Sequence, residues 1–242
     1  MYQDFAQVYD ALMQDVDYAA WADYYMLLLR RHDPAAKRIV ECGCGTGALT
    51  QYFAKNYSVI AIDSSGAMLQ IAYEKLQGLP LRPQLSLQDM RSFRTHGEQD
   101  AVLATCDAVN YLLTEAEVMR FFQAVYRALK TGGLLLFDVS SRYKLFSVLP
   151  AAPWVEEEEH ISYIWQNEIE GERLHMHLSI FVREGELYRR INEEQTQTCL
   201  PTERYRALLS EAGFGEICVY GDRSLDAPAE TEHRLHISAV KR

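Results

Sequence analysis

ECGCGTG, residues 41–47, is the stretch on which the reading of the chain turns. Three glycines alternate with small residues behind an acid. RIVEC (38–42) is a short apolar run of the kind a buried strand makes, and a helix is expected from about Thr46 to Lys55. A glycine loop between a strand and its helix sits in the crevice of an open parallel sheet. Gly43 and Gly45 permit positive φ and lack the Cβ that would block a ligand. The helix start adds free N–H groups and a partial positive charge. Such a loop suits any nucleotide-containing cofactor. The match of GCGTGA to G-x-G-x-x-A is weak by itself.

Two further acids narrow the choice. SVIAID (58–63) is a second strand ending at Asp63, twenty residues after Gly43. A carboxylate there accepts from both ribose hydroxyls of an adenosine, which NAD and S-adenosylmethionine share. Glu41 separates the two. A pyrophosphate would be repelled by it, whereas the ammonium and sulfonium of S-adenosylmethionine would not. QLSLQD (84–89) is a third strand followed by Met90. Asp89 there can accept from an adenine amino group while Met90 packs on the ring.

Outward from this loop, strands and helices alternate. Residues 17–32 read as a helix with Tyr18, Trp21, Tyr25, Leu28 and Leu29 on one face, preceded by a short aromatic segment holding Tyr2, Phe5 and Tyr9. Ser64 is read as the cap of a helix from Ser65 to Gln77. AVLATC (101–106) is a fourth strand. Thr114 to Lys130 is the clearest helix, opened by the capping box Thr114-x-x-Glu117 and closed by Gly132 and Gly133. LLLFDV (134–139) is a fifth strand. Buried apolar strands alternating with helices imply a parallel sheet covered on both faces.

After Val139 the pattern changes. RLHMHLSIFV (173–182) alternates strictly, with HISYIWQN before it and LYRRINEEQTQT after it, and Glu170-Gly171 and Glu184-Gly185 mark hairpin turns. Residues 144–199 are read as an antiparallel insertion. The α/β pattern resumes with a helix ending at Gly213, the strand EICVYG and the closing HRLHISAV. The expected organisation is an α/β core of residues 1–143 and 200–242, with the insertion between.

The chain has 242 residues, 48% of them hydrophobic, enough for a domain with a subdomain, and a net charge of −10. That balance argues against a polyanion such as nucleic acid as main partner. Glu156 to Glu159 read as a solvated loop. Five cysteines without a secreted framework, no signal-like start and no apolar run of membrane length point to a cytoplasmic protein.

Glu41-x-Gly43-x-Gly45-x-Gly47, Asp63, Asp89-Met90 and LKTGGLLLFDV (129–139) together resemble the class I S-adenosylmethionine-dependent methyltransferases over about residues 38–139. The end of the chain is similar as well. DFAQVYDALMQDVDYAAW (4–21) and CDAVNYLLTE (106–115) are closer still to the bacterial YqeM-like group. The resemblance implies a Rossmann-like, seven-stranded, mostly parallel sheet whose last strand is antiparallel. It implies S-adenosylmethionine as cofactor, S-adenosylhomocysteine as product, and the cofactor lying across the carboxyl ends of the strands. By it, Glu41 holds the methionine ammonium, Gly43, Gly45 and Gly47 line methionine and ribose, and Asp63 takes the ribose. Asp89 and Met90 frame the adenine, and Thr105, Cys106 and Asp107 border the sulfonium. Asn110 and Tyr111 face the substrate.

Residues 1–32 are then expected as a lid. Tyr2, Phe5, Tyr9 and Tyr18 offer aromatic faces to a sulfonium, though the first three would serve equally as a staple for the terminus. The insertion would roof the acceptor site. The acceptor is expected to be a small molecule, with no general base assignable. His175 and His177 are substrate-side candidates, with a solvent-facing reading beside it. Cys42, Cys44 and Cys106 are read as small residues at strand ends, with no metal. Three other functions stay open: a binding module without turnover, a methyltransferase acting on tRNA or ribosomal material, and a nicotinamide dehydrogenase, which lacks a hydride-transfer constellation.

Overall fold

The computed structural model describes residues 2–242, with side chains from Phe5 onward. In chain order the core elements are α1 (Tyr2–Leu12), α2 (Tyr18–His32), β1 (Arg38–Cys42), α3 (Thr50–Phe53), β2 (Ser58–Asp63), α4 (Gly66–Leu76), β3 (Gln84–Leu87), β4 (Gln99–Ala104), α5 (Glu115–Ala128) and β5 (Leu129–Ser140). The second sheet follows: β6 (Trp154–Glu157), β7 (Ile161–Glu170), β8 (Arg173–Glu184) and β9 (Leu187–Gln197). The chain closes with α6 (Thr202–Glu211), β10 (Phe214–Tyr220) and β11 (Arg234–Lys241).

The main sheet has seven strands in the order β10-β11-β5-β4-β1-β2-β3. β3, β2, β1, β4 and β5 run parallel, and β11 lies antiparallel between β5 and β10. Seven strands, mostly parallel, with the last strand of the chain antiparallel, is the Rossmann-like arrangement that the resemblance implies. Successive strand residues point to opposite faces, so each strand feeds two cores. Val40, Val102 and Phe137 pack with α5 and α6 on one face, while Ile39, Leu103 and Leu136 pack with α2 and α3 on the other.

The second sheet is antiparallel, in the order β6-β7-β8-β9. Leu174, Met176, Leu178 and Ile180 of β8 face inward and join the core that holds Phe5, Ala6 and Val8 of α1. The hairpins turn at Gly171 and Gly185, with φ of 61° and 68°.

Several local expectations are corrected. The aromatic leader is a helix, α1. The helix expected from Thr46 shrinks to one turn, Thr50–Phe53, because Gly45 and Gly47 hold positive φ and a Gly47 N–H bond to Cys44 O closes a turn. Ser65, not Ser64, caps α4, its hydroxyl accepting from Met68 N. α5 ends at Ala128, because Leu129 is already extended (φ −79°, ψ 145°), and Gly132 and Gly133 fall inside β5. Part of the acidic run expected as a loop is strand β6, paired through Glu156↔Tyr163 and Glu157↔Ser162. The five cysteines are unbonded, and Cys218 on β10 is the exposed one.

Candidate active site

A cleft of about 1240 Å³ opens beyond the carboxyl ends of β1, β2 and β4. One drug-sized ligand fills roughly 300–1,000 Å³, so this cleft has room for a cofactor and a second small molecule. The glycine loop forms its floor. Gly43 N and Cys44 N both donate to Ile62 O, at 2.8 and 3.0 Å, which folds the loop across the end of β2. A Cβ on Gly43 would lie 2.9 Å from the Ala108 Cβ, and one on Gly47 would lie 2.8 Å from Leu76 Cδ1. One on Gly45 would meet nothing within 4 Å, because Gly45 borders the cleft.

Two acids flank the loop. Asp63 accepts from Gly45 N and Ser65 N, both at 2.8 Å, so its carboxylate ties the glycine loop to the start of α4. Burial raises its pKa against the pull of these N–H groups. Glu41 is 1% exposed and accepts from the Thr50 hydroxyl at 2.5 Å. Burial pushes its pKa up to about 8, so it is mainly a neutral acid at pH 7. At the far end Asp89 and Met90 both line the cleft, with Asp89 gripped by the Arg91 guanidinium, which holds its carboxyl below the usual range.

Thr105, Cys106 and Asp107 continue β4 into the cleft. Cys106 and Asp107 both have φ of 53°, a left-handed conformation costly for residues with side chains. Three elements hold it. Asp107 N donates to Asp138 Oδ2 on β5 at 2.8 Å, Arg234 on β11 donates to Asp107 Oδ1 at 2.9 Å, and Gln197 on β9 donates to Asp107 Oδ2 at 2.8 Å. Arg234 also pairs with Asp138, whose other oxygen accepts from the Tyr25 hydroxyl at 2.6 Å. The Arg234 guanidinium lies 4.8 Å over the Trp21 ring, and both residues line the cleft.

From α1 and α2, Phe5, Tyr9 and Tyr18 line the cleft, and burial raises the pKa of both phenols. Tyr111 lines it too, its hydroxyl donating to Gln195 at 2.6 Å. The side chain of Tyr2 lies outside the described residues. Asn110 does not line the cleft. Its amide donates to Ser140 O and Thr198 O, and its oxygen accepts from Ser140 N, which knits β5 to the end of the second sheet. His175 and His177 point to the outer face of that sheet, opposite Leu174 and Met176, where His175 meets Thr196 at 3.1 Å and His177 lies 3.7 Å from Glu194.

A family profile described as "Methyltransferase domain" matches residues 39–133. The chain is 37% identical to "Putative methyltransferase YqeM" of Bacillus subtilis (strain 168), over 100% of this chain and 97% of that protein. The crystal structure of an S-adenosylmethionine-dependent methyltransferase from Clostridium acetobutylicum ATCC 824 superposes with a TM-score of 0.91 at 28% identity, covering 99% of this chain and 98% of that one. The chain belongs to the S-adenosylmethionine-dependent methyltransferases. A more distant relative, at 26% identity over 87% of this chain and 85% of its own length, is the "dTDP-4-amino-2,3,4,6-tetradeoxy-D-glucose N,N-dimethyltransferase" of Saccharopolyspora spinosa.

The cleft of this methyltransferase has the chemistry its cofactor needs: an open backbone at Gly45, a carboxylate, Asp63, at the end of β2, and a buried acid, Glu41, beside the glycines. Sequence reasoning missed Arg234, Gln195, Gln197 and Asp138. The signal for Arg234 was a cation at the start of the closing strand, at the end nearer the carboxyl ends of the parallel strands. For Gln195 and Gln197 it was amides at inward positions of an alternating strand. No helix among the described residues is long and apolar enough to cross a membrane.

Proposed function

We propose that the methyltransferase acts on the nitrogen of a small-molecule amine in the cytoplasm. The observation that carries this is the cleft shared by the glycine loop and the inner face of the second sheet, which Trp165, Leu178 and Gln195 line together with Cys106 and Asp107. Its size suits two small ligands, and the amino-sugar relative is named for methylating nitrogen. Five unbonded cysteines fit a reducing compartment.

S-adenosylmethionine supplies an electrophilic methyl on its sulfonium. The chain's part is binding, alignment and exclusion of water. Asp63 takes the ribose hydroxyls and Glu41 the ammonium. Asp89 and Met90 frame the adenine. Tyr9, Tyr18 and Trp21 set aromatic faces beside the positive charge. The Cys106–Asp107 segment fixes the wall where the methyl lies, and Tyr111 with Gln195 borders the acceptor. α1 acts as a lid, and the second sheet is the roof. The amine attacks in line through its lone pair, so no dedicated base is required once it arrives deprotonated.

The test is thermal unfolding with S-adenosylhomocysteine, S-adenosylmethionine and NADH, on the natural protein and Asp63→Ala. A ligand at a hundred times its dissociation constant adds roughly 2.7 kcal/mol. The adenosyl ligands should stabilise the natural protein and lose that effect in Asp63→Ala. An unchanged response in the variant removes Asp63 from the ribose site. Release of S-adenosylhomocysteine with amines, and not with the matching alcohols, checks the acceptor atom.

A further inference from the structure

The electrostatics of the cleft narrow the acceptor beyond "an amine". Three arginines reach the cleft, and each is already engaged by acids. Arg91 is held by Asp89 through both carboxylate oxygens and also pairs with Glu117. Arg234 lies between Asp107 and Asp138. Arg223 stands 3.5 Å from Asp222. Arg120 also approaches Glu117 at 3.9 Å, and Lys144 acts on Asp107, so each cluster is near balance. The lining of the cleft as a whole nevertheless sets Asp15, Asp17, Asp63, Asp89 and Asp107, besides Glu41, against these three arginines and has a surplus of negative charge. A diphosphate entering here would have to take an arginine from a carboxylate already bonded to it, against that surplus.

The mouth has the same sign. Asp15, in the turn between α1 and α2, lines the cleft. Asp17 lines it as well, and Glu158, which accepts from the Gln14 side-chain amide next to Asp15, adds a third acid on that side. Such a field concentrates cations and repels anions. Inside the rim the roof is apolar and aromatic, through Trp165 and Leu178. These facts are independent of one another: engaged arginines within, acids at the mouth, an apolar roof.

We propose that the acceptor is an amine borne on an apolar or aromatic body, drawn in as its ammonium and carrying no phosphate. This rests on the amine reading above, and it separates the chain from its nucleotide-sugar relative. The ammonium gives its proton to water at the mouth. The neutral nitrogen then forms the N–CH₃ bond as the C–S bond breaks, with the electron pair passing to sulfur.

The experiment titrates protein saturated with S-adenosylhomocysteine, at low ionic strength, with paired probes followed by calorimetry. The pairs are tyramine and its phosphate ester, and glucosamine and glucosamine 6-phosphate, with thymidine diphosphate alone as the anion. Tyramine should bind more tightly than glucosamine, glucosamine bound alone counting against the apolar body. The phosphate esters and thymidine diphosphate should not bind, and Asp15→Asn should weaken tyramine roughly threefold. Binding of thymidine diphosphate or of a phosphate ester, or binding of neither free amine, overturns the proposal. The amine reading fails separately, if S-adenosylhomocysteine is released with an alcohol of the same skeleton and not with the amine.

Discussion

Glu41 carries its proton at neutral pH until a positive charge lies beside it. Its folded pKa of about 8 stands above the unfolded value near 4.5. The folded protein therefore binds more protons than the unfolded chain between those values. Cofactor-free stability should fall as pH rises through that window, with Asp63, also raised, adding in the same direction. Glu41→Gln should flatten the slope in melts taken from pH 5 to 8. Binding the ammonium of S-adenosylmethionine should expel a proton at pH 7, read by calorimetry in buffers of different ionisation enthalpy. Equal apparent enthalpies in all buffers would show that Glu41 does not face the ammonium. Arg234 makes a second case. Arg234→Met leaves buried Asp138 and partly buried Asp107 without the cation bonded to them, with Lys144 the remaining positive charge acting on them, a change of about 3 kcal/mol. Gln197→Ala removes one bond to Asp107 and leaves that pair intact, so it should weaken S-adenosylhomocysteine binding with little loss of melting temperature. A residue that only supports the fold would lower the melting temperature and leave affinity alone. The glycine loop with its two acids could be read beforehand, because all its members lie within one strand–loop–strand unit. Arg234 and Gln197 could not, because only tertiary folding brings β11 and β9 to one place; Trp21 was legible on the apolar face of α2, with core packing and ligand contact left open. His175 and His177 are different: the alternation that buries Leu174 and Met176 already sends both histidines outward.

Among the elements, α1 bears most directly on access to the cleft. It is fastened at its end by Asp10, which accepts from the Thr46 hydroxyl at 2.6 Å and pairs with Lys75 at 2.6 Å. Thr46 belongs to the glycine loop and Lys75 to α4, so the clasp joins α1 to the floor of the cleft. Asp10 and Lys75 are partly exposed, so their pair is worth about 0.5–1 kcal/mol. Asp10→Ala should therefore speed both arrival and departure of S-adenosylhomocysteine in stopped flow and raise hydrogen exchange in α1, while the melting temperature barely moves. Unchanged rates would make α1 a staple and not a lid. The helical state of α1 is not legible in the sequence because Phe5 and Tyr9 read equally as lid faces and as a staple for the terminus, and neither reading requires a helix. The strand β6 escaped sequence reading because four consecutive glutamates look like a solvated loop, although its pairing with β7 is made by the backbone. β1, β2, β4 and β5 were plain, being short apolar runs with loop residues after them.

For the whole molecule, the parallel character of the main sheet and the presence of a second, antiparallel sheet followed from alternation patterns, since parallel strands buried on both faces and half-buried antiparallel ones leave different periodicities. The antiparallel last strand came only with the family resemblance. What no pattern announces is how the second sheet shares a core with α1 through Leu174, Met176 and Phe5. That shared core predicts one cooperative unfolding transition, without separate melting of residues 154–197. Two calorimetric transitions, or early loss of the β8 and β9 amides in native-state hydrogen exchange, would show the second sheet to be an independent unit.

The uneven exposure of the thiols has a practical consequence. Burial raises the pKa of Cys42, Cys44, Cys106 and Cys199, which keeps them as unreactive thiols, while Cys218 faces solvent on the edge strand β10. A maleimide dye should therefore attach at one position in the natural protein without any engineered cysteine. Cys218 does not line the cleft, so a fluorophore there would report rotational diffusion, and with it self-association, while leaving cofactor binding undisturbed.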